Sequence, residues 1–212
     1  MYLAARSALL LCIGIALVSC IGSEPGPQQG AALLQGEGRA ALNPSHDLPP
    51  GEEWTLMLVN LRNVSSTDVI IRGIAYVGLD DEGPVEVVRT RIAPFDPPDT
   101  LPASTYKTFP PVGRVGISQE GECRVLPVED VRGFRLAPRE EALVVTHFRA
   151  LKAGDFDIRG HRVTYEQSGE SLVQTMPVGH AGMIASKGFS YEPTEDEASC
   201  AEELGIRLLR NG

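Results

Sequence analysis

The sequence predicts a mainly β protein: an antiparallel β-sandwich with an N-terminal signal and tether and a C-terminal α-helix. Three observations carry this. Apolar residues alternate with polar ones over 85–92 and switch faces regularly over 143–148, the period of two that a strand requires. Turn chemistry, as in Asp80-Asp81-Glu82-Gly83-Pro84 and Gln167-Ser168-Gly169-Glu170, separates the β-rich runs. Only the tail, from Thr194 onward, takes up a helical period.

The N-terminus is read first. Arg6 supplies a positive start and residues 8–18 form an uncharged run of eleven. A membrane-spanning helix needs about 20 apolar residues, so this run is a secretory signal rather than a span. It ends in Leu17-Val18-Ser19-Cys20, which resembles the lipobox of bacterial lipoproteins. The resemblance implies that residues 1–19 are a lipoprotein signal peptide and that Cys20 becomes the lipidated N-terminus, carrying acyl chains such as palmitate. It implies a location on the extracytoplasmic face of a cell membrane or outer membrane, with the lipid on Cys20 as the membrane contact. Two other readings stand beside it: a soluble secreted protein cut near Ser19, and a buried helix opening a cytosolic domain. The Gly/Pro/Gln-rich stretch that follows gives such a helix nothing to pack on.

Cysteine use agrees with export. Cys12 leaves with the signal and Cys20 is taken by lipid, so Cys123 and Cys200 remain. Outside the cytoplasm such a pair is expected as a disulfide, the alternative being two separate buried thiols. No Cys-x-x-Cys occurs, which disfavours dithiol redox chemistry and a thiolate zinc site. The charge is −9, from 28 acidic and 19 basic residues. With no basic cluster among aromatics, nucleic acid is not an expected partner.

Residues 20–52 read as a flexible tether, punctuated by Pro25, Pro27, Pro44, Pro49, Pro50 and Gly51. The β-sandwich is placed over 53–186. Strands are expected over 54–61, 69–79 and 85–92; their short separations suggest hairpin partners. Residues 94–122 are the longest irregular stretch, a candidate binding loop. Then come 123–128, a piece around 131–136, and 141–151, where Leu143, Val145 and His147 face one way and Val144, Thr146 and Phe148 the other. Over 155–166, Phe156 and Ile158 share one parity and Val163 and Tyr165 the other, so a bulge is expected at Gly160-His161. A strand over 171–178 pairs back across residues 167–170. Residues 187–212 form a helical extension. Thr194 and Glu197 fit a capping box, and Ala198, Ala201, Leu204 and Leu208 share a face.

Leu151-Lys152-Ala153-Gly154-Asp155-Phe156 resembles the turn entering a late strand of immunoglobulin-like domains, with Phe156 where that family usually places a tyrosine. The resemblance implies an Ig-like sandwich over 53–186.

Chemistry is sparse. Gly116-Ile117-Ser118-Gln119-Glu120-Gly121 has the wrong spacing for a nucleophile elbow, and neither His-Glu-x-x-His nor a phosphate loop is present. Asp155 and Asp157 read as solvent-facing residues flanking Phe156, and the turn at 80–84 as a solvated acidic turn rather than a Ca²⁺ site. Met176, His180 and Met183, with His161 on the adjoining strand, offer thioether and imidazole ligands of the kind copper(I) prefers. Against this, Met176 and Met183 are expected as core packing around a glycine-rich turn with a solvated His180. The sequence therefore predicts no cofactor, no catalytic residue and a lipid-anchored binding or scaffolding module, its partner another envelope protein. An extracytoplasmic copper-binding protein is the alternative and an envelope hydrolase the third reading.

Overall fold

The computed structural model describes residues 28–35, 47–95, 105–114, 121–177, 179–187 and 192–210. The signal segment and Cys20 lie outside these. Strands run in chain order as β1 (Gln28–Gln29), β2 (Leu33–Gln35), β3 (Asp47–Leu48), β4 (Glu53–Asn63), β5 (Val69–Val77) and β6 (Val85–Pro94). After them come β7 (Thr105–Tyr106), β8 (Val112–Arg114), β9 (Cys123–Val125), β10 (Glu129–Asp130), β11 (Arg135–Leu136) and β12 (Glu141–Ala150). The chain ends with β13 (Gly154–Ile158), β14 (Gly160–Gln167), β15 (Glu170–Met176), β16 (His180–Ile184) and helix α1 (Glu195–Glu203).

Two sheets make the sandwich. One has the order β1-β15-β14-β5-β11 and the other β10-β6-β12-β4-β2, with β7 also on β4. All the long strands pair antiparallel. Leaving out the shortest strands, β2-β4-β12-β6 faces β15-β14-β5, which is the ABED and CFG order of a constant-type immunoglobulin sandwich. The fold is thus an Ig-like antiparallel β-sandwich with a C-terminal helix. Between the sheets lie Trp54, Leu56, Leu61, Ile71, Val144, Phe148, Val163 and Tyr165, all buried. Trp54 stacks on Phe148 with ring centroids 5.4 Å apart.

This order corrects the expected hairpins over 53–92. β4, β5 and β6 alternate between sheets, so their short turns are arches across the sandwich. Asn63 explains the first. Its buried Nδ2 donates to the carbonyls of Thr67 (2.8 Å) and Leu136 (2.9 Å), while Oδ1 accepts from Ser65 N and Oγ. These bonds turn the chain out of its sheet instead of back along it. Only β14 and β15 form the hairpin expected, in register from His161 opposite Met176 to Gln167 opposite Glu170.

The expected tether also contains structure. β1 lies parallel on β15, β2 antiparallel on β4, and β3 parallel on β16. The Tyr165 hydroxyl accepts from Ala32 N at 3.1 Å, Leu33 N donates to Gln174 Oε1 at 3.1 Å, and Gln174 Nε2 donates back to the Leu33 carbonyl. Leu33 and Leu48 are fully buried. Two buried leucines in a Pro/Gly-rich stretch are too faint a pattern to read as strands.

The irregular stretch after β6 is a cover, not a free loop, over its described residues. Tyr106, Leu126, Phe95, Phe109 and Val128 pack on Met57, Ala93, Leu143 and Val145, on the outer face of the second sheet. β12 is therefore buried on both faces, and its alternation separates two cores rather than core from water. The parity change expected at Gly160-His161 is present, since Phe156, Ile158, Val163 and Tyr165 are all buried. It is made by leaving one sheet for another: β13 pairs with β16, β14 with β5 and β15.

Thr194 caps α1, its hydroxyl accepting from Glu197 N at 3.1 Å. The Glu197 carboxylate bonds instead to the segment after β7, so the reciprocal half of the expected capping box is not made. Gly205 (φ +65°) ends the helix, with Ile206 N bonded to Ala201 O and Gly205 N to Glu202 O, a Schellman stop. The expected face through Leu204 and Leu208 is therefore corrected: both are exposed, while Cys200 and Ala201 are buried. Cys123 and Cys200 are joined by a disulfide that ties α1 to the β8–β9 ribbon.

Candidate functional site

Three places in the molecule gather polar chemistry, and they differ in how far that chemistry is already used. The first is buried. Lys107 Nζ pairs with Glu52, and Glu197 Oε1 accepts from Lys107 N (2.7 Å), Thr108 N (3.0 Å) and Thr108 Oγ1 (3.0 Å). Burial pushes the Lys107 ammonium down to about 8, against the pull of Glu192 and Glu197. Burial likewise raises the Glu197 carboxyl, opposed by its bonds to Thr108 and the Lys107 backbone. Beside this cluster, His147 stacks on Phe109 (5.3 Å), with Glu53 at 3.6 Å and Arg89, its cross-strand neighbour, also over the Phe109 ring (4.9 Å). Burial holds its imidazole below its ordinary value. These groups clamp the cover and the helix onto β4. Buried, paired charges of this kind specify an arrangement more than they stabilise it.

The second place is an open depression of about 910 Å³ at the end of the sandwich holding Pro94, Arg132, Phe134, Arg139 and Glu141. Its charges largely answer one another. Arg91 pairs with Asp130 (2.7 Å), Arg135 with Asp68 (2.6 Å), and Glu141 takes Arg62 (3.6 Å) and Asn60 Nδ2 (2.6 Å).

The third is at the opposite end and is built differently. The arch between β5 and β6 and the outer face of the β13–β16 pair enclose a cleft of about 730 Å³. Asp155 stands opposite Met183 in register and Asp157 opposite Ala181, so strand alternation sets all four on that face. Phe156, which also borders the cleft, is seated on the inner side of the pair because β16 carries glycine at 182: a Cβ there would lie 2.7 Å from Phe156 Cζ. From behind, the ring rests on Trp54 (6.3 Å) and His180 (5.5 Å). Leu79 and Pro84 complete the apolar lining and Met183 is 43% exposed. Asp80, Asp155 and Asp157 line the cleft, and no described residue forms an ion pair or hydrogen bond with their carboxylates. Apolar lining beside carboxylates that make no salt bridge is an arrangement suited to binding.

The copper ligand set does not converge as a group of four. His161 and Met176 are cross-strand neighbours inside the sandwich, where the His161 ring meets Tyr76 edge-on at 5.0 Å. His180 is buried against Phe156, and Met183, three residues further along β16, faces the other way. The expected packing is corrected in part: Met176 is core, Met183 is exposed, and His180 is a buried strand residue rather than a solvated turn. Among the described residues no group of three or more His, Cys, Asp or Glu is placed to hold a metal ion. No described helix is long and apolar enough to cross a membrane. Sequence reasoning singled out Asp155, Asp157 and Met183, but not that they share a cleft. The signal was Gly182, a residue without a side chain opposite a phenylalanine.

No protein-family model matches the chain, and no curated protein matches it. Among solved structures it is similar to the ASH / PapD-like domain of human CEP192 (PapD-like domain 7), at 11% identity and a TM-score of 0.36, covering 90% of this chain and all of that one.

Proposed function

We propose that this chain is a lipid-anchored, non-catalytic binding module of the cell envelope, and that the cleft on β13 and β16 is its contact surface. The observation that carries the reading is that cleft: carboxylates without ion-pair partners beside the half-buried Leu79 and the exposed Met183. The anchor is supported by Leu17-Val18-Ser19-Cys20, and an extracytoplasmic address by the Cys123–Cys200 disulfide, which an oxidising compartment maintains. The geometry suits an anchor as well. The described chain enters at Gln28 beside Leu172, close to the β14–β15 turn, whereas the cleft lies beyond the other end of that hairpin. A chain tethered ahead of Gln28 thus presents the cleft away from its point of attachment.

The test is site-specific photocrosslinking in cells, with a photoreactive side chain placed at Met183 and, as control, at Glu170 on the opposite end. Adducts of one defined mass from position 183 alone support the reading; adducts from neither position, or equally from both, overturn it. A Cys20→Ser variant, expected to leave the membrane fraction, tests the anchor separately.

A further inference from the structure

Resting on the reading of the cleft as a contact surface, we propose that its occupant is an extended, lysine- or arginine-bearing segment of a partner protein. Its cations would meet Asp80, Asp155 and Asp157 while its apolar side chains cover Leu79 and Met183.

Charge is the first argument. The cleft is lined by three carboxylates and by no lysine, arginine or histidine, with the Arg159 Nε beside Gly78 as the basic group at its edge. At the other end of the sandwich, acids and bases alternate and pair. A surface left with one sign of charge is complementary to the opposite sign and repels its own. Shape is the second argument. Beyond Leu79 and Asp80, which they share, a neighbouring groove of about 460 Å³ continues past Tyr76, Val87 and Leu151, lined also by Asp81 and by Glu86, the latter paired with Arg149 at 3.2 Å. Leu151 is 46% exposed, so apolar surface and acid run together along both sides of the arch. That track is longer than one ammonium group needs, and a small polycation would leave Met183 and Leu151 uncovered.

Recognition falls to side chains rather than to main-chain pairing. β5 and β6 border the groove as edge strands over 72–77 and 85–90, but each carries a register shift against its inner neighbour. Bulges of this kind blunt an edge against strand addition.

The experiment is calorimetric titration of the full lipidated protein, held in detergent, with an acetylated hexapeptide alternating lysine and leucine. Parallel titrations replace lysine by glutamate, replace leucine by serine, or use spermine. One-to-one binding of the lysine–leucine peptide is expected. It should weaken about tenfold in Asp155→Asn/Asp157→Asn and at least as much for the lysine–serine peptide. A Glu170→Gln/Glu202→Gln control, which removes as much charge elsewhere, should change binding less than twofold. The proposal is overturned if the lysine–leucine peptide fails to bind, if the glutamate peptide binds as well, if the control variant loses as much, or if spermine matches the peptide. If crosslinking at position 183 succeeds while the basic peptide fails, the contact surface stands and the charge assignment falls. If crosslinking fails, the contact surface itself is lost.

Discussion

Breaking the Cys123–Cys200 bond should remove a large share of the stability of this fold. The two cysteines are 77 residues apart in sequence. For a loop of that length at 25 °C, the chain-entropy model gives about 4.5 kcal/mol of lost unfolded-state freedom. The native side of the balance changes little, because Val112, Ala201 and Ile206 still pack together and Glu197 still bonds to the Lys107–Thr108 backbone. A Cys123→Ala/Cys200→Ala variant is therefore expected to unfold about 4–5 kcal/mol more easily. With a urea m-value of about 2 kcal/mol/M, the midpoint falls by about 2 M. Trp54 is the only tryptophan and is fully buried between the sheets, so its fluorescence follows the whole sandwich. A midpoint shift below about 0.5 M in Trp54 fluorescence, worth about 1 kcal/mol, would refute the reasoning. The helix and its ribbon would then be a unit that opens independently of the sandwich.

Tyr76→Phe should cost about 1–2 kcal/mol in the same assay, because the phenol bonds to Thr90 Oγ1 (2.7 Å) and Thr146 Oγ1 (2.5 Å) inside the sandwich; a loss below about 0.3 kcal/mol would mean these bonds are not made in solution. Glu197 has a folded pKa above its unfolded value, so its contribution to stability is full below about 4.5 and is lost as pH rises through the folded value. Wild type should therefore lose stability relative to Glu197→Gln as pH rises above about 4.5, and parallel pH profiles would contradict this. Lys107 works in the opposite sense: its folded pKa of about 8 lies below 10.5, so its contribution is full above 10.5 and is lost as pH falls through 8. A Lys107→Met variant should flatten that part of the urea-midpoint profile, and an unchanged slope would sink the assignment.

Much of the sandwich is legible because period-two alternation is a direct consequence of strand geometry. β6, β12 and the β14–β15 hairpin fall close to where the pattern puts them. The pairing of strands is less legible. A turn rich in Asn, Ser and Asp suits an arch as well as a hairpin, and what decides is the reach of Asn63 to Leu136, 73 residues away. The buried charges are hidden for the same reason: Lys107 reads as a surface residue until Glu52 is brought to it from another part of the chain. β16 escapes notice because glycines at 179 and 182 look like a turn, although Gly182 serves to seat Phe156. The cleft follows the same rule. Its carboxylates are visible as Asp80, Asp155 and Asp157, and the meeting of arch and strand that gathers them is a product of the fold.

The central claim is that contact is made at this end of the sandwich, and amide chemical-shift mapping tests it most directly. The ¹⁵N-labelled Cys20→Ser chain, free of lipid, is titrated with the lysine–leucine peptide. Saturable shifts confined to Asp80, Asp155, Asp157, Gly182, Met183 and their neighbours are predicted, with Arg132 and Arg139 at the far end unmoved. Shifts centred on the depression around Arg132 and Arg139, or spread evenly over all exposed acids, would contradict the account.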